Sequence, residues 1–352
     1  MEKALLVGIT ALDELRELAD SAGARVIGEV IQNRNRPDPA TYLGKGKVFE
    51  LRDRIVAESA DIVIFDDELS PSQQKNIEEI IEAKVVDRPG LILEIFSKRA
   101  RTREGNLQVE LAQLNYRLTR LTGYRDYLSR LGGGIGTRGP GETKLEMDRR
   151  QIRKRIATLK GEIDQIRQHR RLHRERRRRE NLPLVSLVGY TNAGKSTLFR
   201  ALTRERETLV SNRLFSTLDP LIRRIKLGGR HQVLISDTVG FIRKLPHLLV
   251  DAFRATLEEV VEADLVLHVV DASDPDHEDK KKVVLQVLGE IGAADHTRLT
   301  VYNKMDLLGL DVDFPVLTSN ELMVSAVNGD GLDRLIDEIV ANTGTRDVIS
   351  PV

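Results

Sequence analysis

Gly189-Tyr190-Thr191-Asn192-Ala193-Gly194-Lys195-Ser196 is the stretch that decides how this chain reads. The apolar run Leu184–Val188 precedes it, and Thr197–Thr203 after it has the pattern of a helix. Strand, glycine-bounded loop and helix together form the setting in which such a loop wraps phosphates. Successive backbone N–H groups face the phosphates, Lys195 reaches the outer ones, and the Ser196 hydroxyl is placed to ligate Mg2+. The start of the following helix adds partial positive charge. The plain alternative is a structural glycine-rich turn.

Around this loop, residues 181–345 alternate strand and helix signals. Val185–Val188, Leu221–Lys226, Val233–Ser236, Leu265–Val270, Leu299–Tyr302 and Leu322–Val324 are the candidate strands. This rhythm predicts a doubly wound α/β domain whose ligand lies at the carboxyl ends of its strands. Asp237-Thr238-Val239-Gly240 follows one of these strands, placing Asp237 to hold Mg2+ through water and the Gly240 amide to sense a γ-phosphate. Phe215-Ser216-Thr217-Leu218-Asp219 reads as a first switch, with Thr217 the candidate to close on Mg2+. Asn303-Lys304-Met305-Asp306 follows another strand. The Asp306 carboxylate matches the two donors on guanine N1 and N2, whereas adenine would leave it unpaired, so GTP is expected over ATP. Lys304 is expected over the base, Asn303 to tie this loop to the phosphate loop, and the Ala326 amide of Ser325-Ala326-Val327 to donate to guanine O6. The expected nucleotide site is thus Gly189–Thr197, Phe215–Thr217, Asp237–Gly240, Asn303–Asp306 and Ser325–Val327, with Lys195, Thr217 and Gly240 as catalytic candidates.

Two further residues carry chemistry by their type. Phe241 stands where Ras-like enzymes place a Gln that orients the attacking water, and it cannot hydrogen-bond water. Slow intrinsic hydrolysis and a stimulating partner are expected; the alternative is that Phe241 simply packs in its loop. Asn192 is either a ligand for K+ beside the phosphates, where a cation would stabilise developing charge, or a residue that caps the loop.

The middle of the chain is built differently. Leu107, Leu111, Leu114, Leu118 and Leu121 step by four and three, as do Ile152, Ile156, Leu159, Ile163 and Ile166. Each set lines a narrow seam, so residues 101–180 are expected to form an antiparallel coiled-coil hairpin with arms of roughly 25–35 Å. The arms are joined by a glycine-rich loop within 131–146, read either as a hinge or as a contact loop in which Arg138 and Lys144 supply charge. The second arm ends in a basic run from Arg167 to Arg179. Arg170, Arg171, Arg174, Arg176, Arg177, Arg178 and Arg179 are candidate RNA contacts, with a solvated linker as the alternative. His169 and His173 have metal-ligand spacing, but the flanking cations disfavour a metal.

Residues 1–100 show a βαβα rhythm that argues for a small parallel sheet with covering helices. Gly44-Lys45-Gly46-Lys47 lacks phosphate-loop spacing and reads as a helix start with a surface basic pair. Asp66-Asp67-Glu68 reads as a solvated turn rather than a Mg2+ site. A charged content of 31% with 40% apolar residues suits a chain of several cores, and the absence of cysteine excludes disulfides and thiolate metal sites. No apolar run is long enough to cross a bilayer, so a cytoplasmic monomer, at most peripherally associated with a membrane, is expected.

The three loop motifs resemble the translation-factor-like branch of P-loop GTPases. Gly189–Ser196, Asp237-Thr238-Val239-Gly240-Phe241 and the glycine-rich Leu131–Glu146 segment together resemble the HflX family. The resemblance implies an N-terminal α/β domain with a helical hairpin, a GTPase domain, and a short tail over 346–352 where many members carry a further domain. It also implies a GTPase that uses Mg2+, exchanges GTP and GDP, binds rRNA of the 50S subunit and splits stalled or idle 70S ribosomes. A GTP-controlled RNA-binding factor in ribosome assembly is the alternative, and a metabolic kinase is disfavoured by the guanine motif.

Overall fold

A computed structural model describes residues 1–34, 36–131, 140–203, 214–215, 217–218, 221–227, 231–244, 246, 257–308 and 316–344; side chains within 122–145 and at 173, 174 and 176–179 fall outside that description. Two units emerge, one built on Met1–Gln165 and the other on Ile166–Leu245 with Phe253–Val352.

In the first unit β1 (Lys3–Gly8), β2 (Arg25–Ile31), β3 (Ile62–Phe65) and β4 (Lys84–Asp87) form a parallel sheet in the order β2-β1-β3-β4. Every residue of β3 is buried, as befits a strand of a parallel sheet covered on both faces. The covering helices are α1 (Asp13–Ala22), α2 (Lys45–Glu58), α3 (Pro71–Ile81) and α4 (Arg88–Arg99). Local chemistry sets their starts. Ser70 and Gln73 form a reciprocal capping box on α3 with Pro71 in its first turn, and Asp87 caps α4 through the Gly90 amide.

One sequence expectation is corrected here. Asp66 is not in a solvated turn: it is 6% exposed and accepts from Arg88 Nη1 at 2.7 Å. Arg88 is itself buried and also pairs with Glu14. A charge just after a strand can face inward when a distant cation meets it, and the local sequence does not reveal that cation.

The hairpin arms are α5 (Arg103–Leu131) and α6 (Pro140–Arg179). Glu110 pairs with Arg155 and Arg103 with Glu162, a register that fixes them as antiparallel. At 29 and 40 residues they measure about 45 and 60 Å, longer than the apolar seams suggest. Beyond the seams the chain is rich in Arg, Lys, Glu and Gln, strong helix formers that continue the helix without a partner stripe.

In the second unit β5 (Leu184–Gly189) leads through the phosphate loop into α7 (Lys195–Thr203). With β6 (Leu221–Leu227), β7 (His231–Asp237), β8 (Leu265–Asp271), β9 (Arg298–Asn303) and β10 (Glu321–Met323) it makes a sheet ordered β10-β9-β8-β5-β7-β6. Only the β6 edge runs antiparallel. The order reverses at β5, so the crevice of a doubly wound sheet opens at the loop that follows it. The described part of α8 covers residues 257–261, and α9 (His277–Glu290) and α10 (Leu332–Thr343) follow it. Val185, Leu187, Leu198, Phe199, Leu267, Val301 and Leu335 lie in one buried core between sheet and helices. Among the described residues no helix is long and apolar enough to cross a membrane.

Candidate nucleotide and cation site

β5, β7, β9 and β10 each deliver one of the sequence motifs to the same rim, with β8 between β9 and β5. Gly194 turns the phosphate loop at φ +89°, where a Cβ would stand 2.2 Å from Asn303 Nδ2. Glycine there allows both the left-handed backbone and the close approach. Asn303 is 2% exposed; it donates from Nδ2 to the Ala193 carbonyl at 3.0 Å and accepts the Ala326 amide at Oδ1, also at 3.0 Å. One side chain thus joins the phosphate loop to both base-side loops. The Ala326 amide, assigned from sequence to guanine O6, is bonded to Asn303 in this structure, so it meets a base only by sharing that bond.

The base side is pre-set in the same way. Asp306 accepts the Ser325 hydroxyl at Oδ1, 2.6 Å, and Ser325 Oγ in turn accepts the Asn328 amide. Met305 lies in the same short helical turn, and Val327 stands exposed beyond Ala326. Lys304 has a left-handed backbone, φ 66°, and its Nζ lies 2.6 Å from Asp271 Oδ2. Asp271 was missed in the sequence. It ends β8 opposite Asn303 in register, and its other oxygen accepts both the amide and the hydroxyl of Ser273. No local cue links it to a lysine 33 residues away.

On the phosphate side Lys195 is buried and donates to the carbonyls of Gly189 and Tyr190 at 3.1 and 2.8 Å. Burial pulls its ammonium down to about 8, opposed by the charge of Asp237. Ser196 Oγ, Thr217 Oγ1 and Asp237 Oδ2 form a chain with 2.8 Å links. Burial raises the Asp237 carboxyl, with Ser196, Lys195 and Thr217 pulling it the other way. Its Oδ1 is buried with no hydrogen-bond partner among the described residues. An orphaned carboxylate oxygen beside two hydroxyls is a donor set that suits a hard divalent cation. Thr238 donates to the Leu187 carbonyl at 2.6 Å, Val239 is buried, and Thr197 lies in the first turn of α7. Phe215 is buried with φ 56°, whereas Ser216 lies outside the described residues.

Asn192 is exposed with φ 64°, a backbone region that Asn tolerates better than most residues. Phe241 is 1% exposed and forms a bridge with Tyr190: its carbonyl accepts the Thr191 amide at 2.7 Å and its amide donates to Gly189 O at 3.1 Å. The ring therefore packs, and it offers nothing to orient water.

The comparisons with known proteins follow this geometry. Three family signatures match in succession: a GTP-binding GTPase N-terminal region over residues 10–97, its middle region over 99–177, and a 50S ribosome-binding GTPase over 184–304. A GTPase HflX from Caldanaerobacter subterraneus subsp. tengcongensis is 52% identical over 345 residues, covering 96% of this chain and 80% of its own length. The chain belongs to the HflX family of GTPases. The GTPase HflX of Escherichia coli is 44% identical over 333 residues, covering 93% of this chain and 78% of its own. SsGBP in complex with GDP aligns with a TM-score of 0.54 at 25% identity, over 98% of this chain and 99% of that one. A GTP-binding protein from Sulfolobus solfataricus with GDP shares the fold, at TM-score 0.50 and 24% identity over 99% and 100%. As a member of this ribosome-associated family, the protein is a GTP-hydrolysing enzyme that binds GTP and GDP, and its GTPase fold implies a divalent metal on the nucleotide.

The predicted RNA contacts fare unevenly. Arg170 faces Glu258 at 3.8 Å with its side chain largely covered, while Arg171 is exposed beside Glu175 at 3.4 Å. Arg138 lies outside the described residues, as do the side chains of Lys144, Arg174 and Arg176–Arg179.

Proposed function

We propose that this HflX-family protein is a GTP-controlled factor that binds the 50S ribosomal subunit and splits 70S ribosomes into subunits. The observation that carries the reading is the linked rim: phosphate loop, both switch segments and base loops meet through Asn303, Thr217 and Phe241. A γ-phosphate is then felt at Thr217 and Gly240, the residues whose order would set the conformation of the switches. In this reading Asp306 and Ala326 select guanine and Lys304 covers the base. Ser196 and Thr217 would hold Mg2+, with Asp237 acting through water; the bound metal would supply charge neutralisation between the β- and γ-phosphates. Lys195 reaches the outer phosphates, and the charge of a bound anion would counter the burial that lowers its pKa. With Phe241 in the water-orienting position, free protein turns over slowly and large subunits stimulate it. K+ at Asn192 is a supplementary element of the same proposal, tested by exchanging K+ for Na+. The basic end of α6, together with Arg138 and Lys144, would contact rRNA.

The test is a sedimentation profile of 70S ribosomes with protein and GTP. Splitting appears as a shift from whole particles to 50S and 30S, weaker with GDP. A profile unchanged at saturating protein removes the splitting reading. Binding to free 50S without any such shift favours a role in assembly instead.

A further inference from the structure

We infer that the Tyr190 hydroxyl is the positioning group that anchors the second switch, the segment Asp237–Arg243 after β7, and that it acts selectively on GTP rather than GDP binding. Tyr190 is the first residue after the glycine of the phosphate loop, yet its ring does not face solvent: it is 6% exposed. Its Oη accepts the backbone amide of Arg243 at 2.7 Å. Its backbone forms the bridge with Phe241, two residues earlier in the same switch. The Lys280 ammonium of α9 lies 5.3 Å from the ring centre, a cation–π contact that steadies the ring from the other side. Arg243 extends the connection outward, its guanidinium 3.5 Å from Asp276 just before α9.

These contacts fix residues 241–243 at both ends of a short span. Gly240 directly precedes that span and is held hard against the phosphate loop. A Cβ on Gly240 would lie 2.8 Å from Thr191 Cγ2 and 2.9 Å from Lys195 Nζ. The position of the Gly240 amide therefore follows from where Tyr190 holds the segment after it. A γ-phosphate meets that amide and a β-phosphate does not, so loosening the anchor weakens GTP and spares GDP. Tyr190 is a positioning residue: its phenol bonds the backbone of the switch, and its effect on nucleotide runs through Gly240. The inference rests on the reading of Gly240 as the γ-phosphate sensor.

The test compares affinities for a fluorescent non-hydrolysable GTP analogue and for fluorescent GDP in the full chain with Mg2+. Tyr190→Phe keeps the ring and removes one hydrogen bond, so GTP-analogue affinity should fall about three- to tenfold with GDP affinity changed less than about twofold. Exchange of the Arg243 amide with deuterium should accelerate in parallel, which checks the anchor without reference to nucleotide. Arg243→Ala keeps the backbone donor and should retain the wild-type ratio of the two affinities. Equal losses for both nucleotides in Tyr190→Phe would mean that the ring merely shapes the phosphate loop and would overturn the inference, as would no loss at all. A matching defect in Arg243→Ala would transfer the anchor to the Asp276 pair and overturn it too. Gly240→Ala separates the two layers. If it leaves the GTP-to-GDP ratio intact, the sensor reading fails; if it lowers the ratio while Tyr190→Phe does not, only the anchor fails.

Discussion

Asn303 is the residue on which the nucleotide rim turns. Its amide satisfies a carbonyl on the phosphate loop and an N–H on the base loop, both away from water. In Asn303→Ala these partners stay buried and unpaired, at a cost of about 1–3 kcal/mol each. Nucleotide affinity, GDP and GTP alike, should drop roughly ten- to a hundredfold; a titration with fluorescent GDP checks this, and a loss confined to GTP would contradict it. His268 behaves differently because no motif uses it. It sits 1% exposed in β8, and neither ring nitrogen has a partner among the described residues. Burial, followed by the charges of Arg298, Lys281 and Lys195, lowers its pKa to about 3. The unfolded chain takes up a proton below about 6.5 while the folded chain stays neutral, so this residue's contribution is intact above that value and declines as pH falls toward 3. Relative to His268→Leu, the wild type should lose about 2 kcal/mol between pH 7 and pH 5, measured by urea unfolding at both values. The motif residues were legible because their backbone setting is local, strand then loop. Asp271 and the Tyr190 hydroxyl were not, since each acts on a group far away in sequence.

At the scale of elements, a buried carboxylate ties the first arm of the hairpin to the N-terminal sheet. Asp87, fully buried at the end of β4, accepts the amides of Leu69 and Gly90, the Tyr116 hydroxyl at 2.5 Å, and Arg120. Tyr116 and Arg120 lie on α5, one turn apart, with the guanidinium 4.2 Å from the ring centre. Beside them, burial and the Asp87 charge raise the Tyr116 phenol well above its ordinary range, so it donates at any working pH. Asp87→Ala takes the carboxylate from the half-buried Arg120, which keeps Gln74 and the Leu69 carbonyl, and leaves two amides without their acceptor, at a cost of about 3 kcal/mol. Slow amides of β3 and β4 should then exchange about a hundredfold faster or more, while those of β5 and β8 keep their rates; equal acceleration everywhere would show the effect is not local to this unit. The leucine and isoleucine steps foretold two long antiparallel helices, because a seam is written at fixed spacing. They did not foretell that α5 also buries Val109 and Ala112 outside that seam. A second buried face obeys no single period, and Asp87 and Arg120 are too far apart in sequence to be paired by eye.

At the scale of the whole molecule, a net charge of +1 conceals a strongly basic stretch at the end of α6. Part of that charge is spent internally. Arg167 and Arg170 both face Glu258, at 3.5 and 3.8 Å, and so neutralise the near end of the run. The far end, Arg176–Arg179, has Glu175 and Glu180 as its flanking acids and keeps a dense positive charge along one short stretch. Such a stretch binds phosphate chains by releasing counterions, which makes affinity fall with a power of salt concentration set by the number of phosphates neutralised. Replacing Arg176–Arg179 with Gln should weaken binding to the 50S subunit and flatten the logarithmic salt dependence by roughly 2–4. Arg167→Gln with Arg170→Gln should flatten it by less than one. Because the proposed switch lies in the nucleotide rim, the salt slope should be steeper with a GTP analogue than with GDP in the wild type. That difference should shrink in the Arg176–Arg179 variant. Co-sedimentation with purified 50S particles across a salt series, with each nucleotide, checks all three outcomes. An identical slope in wild type and variant would return the run to a solvated linker and place the RNA contact elsewhere on the chain.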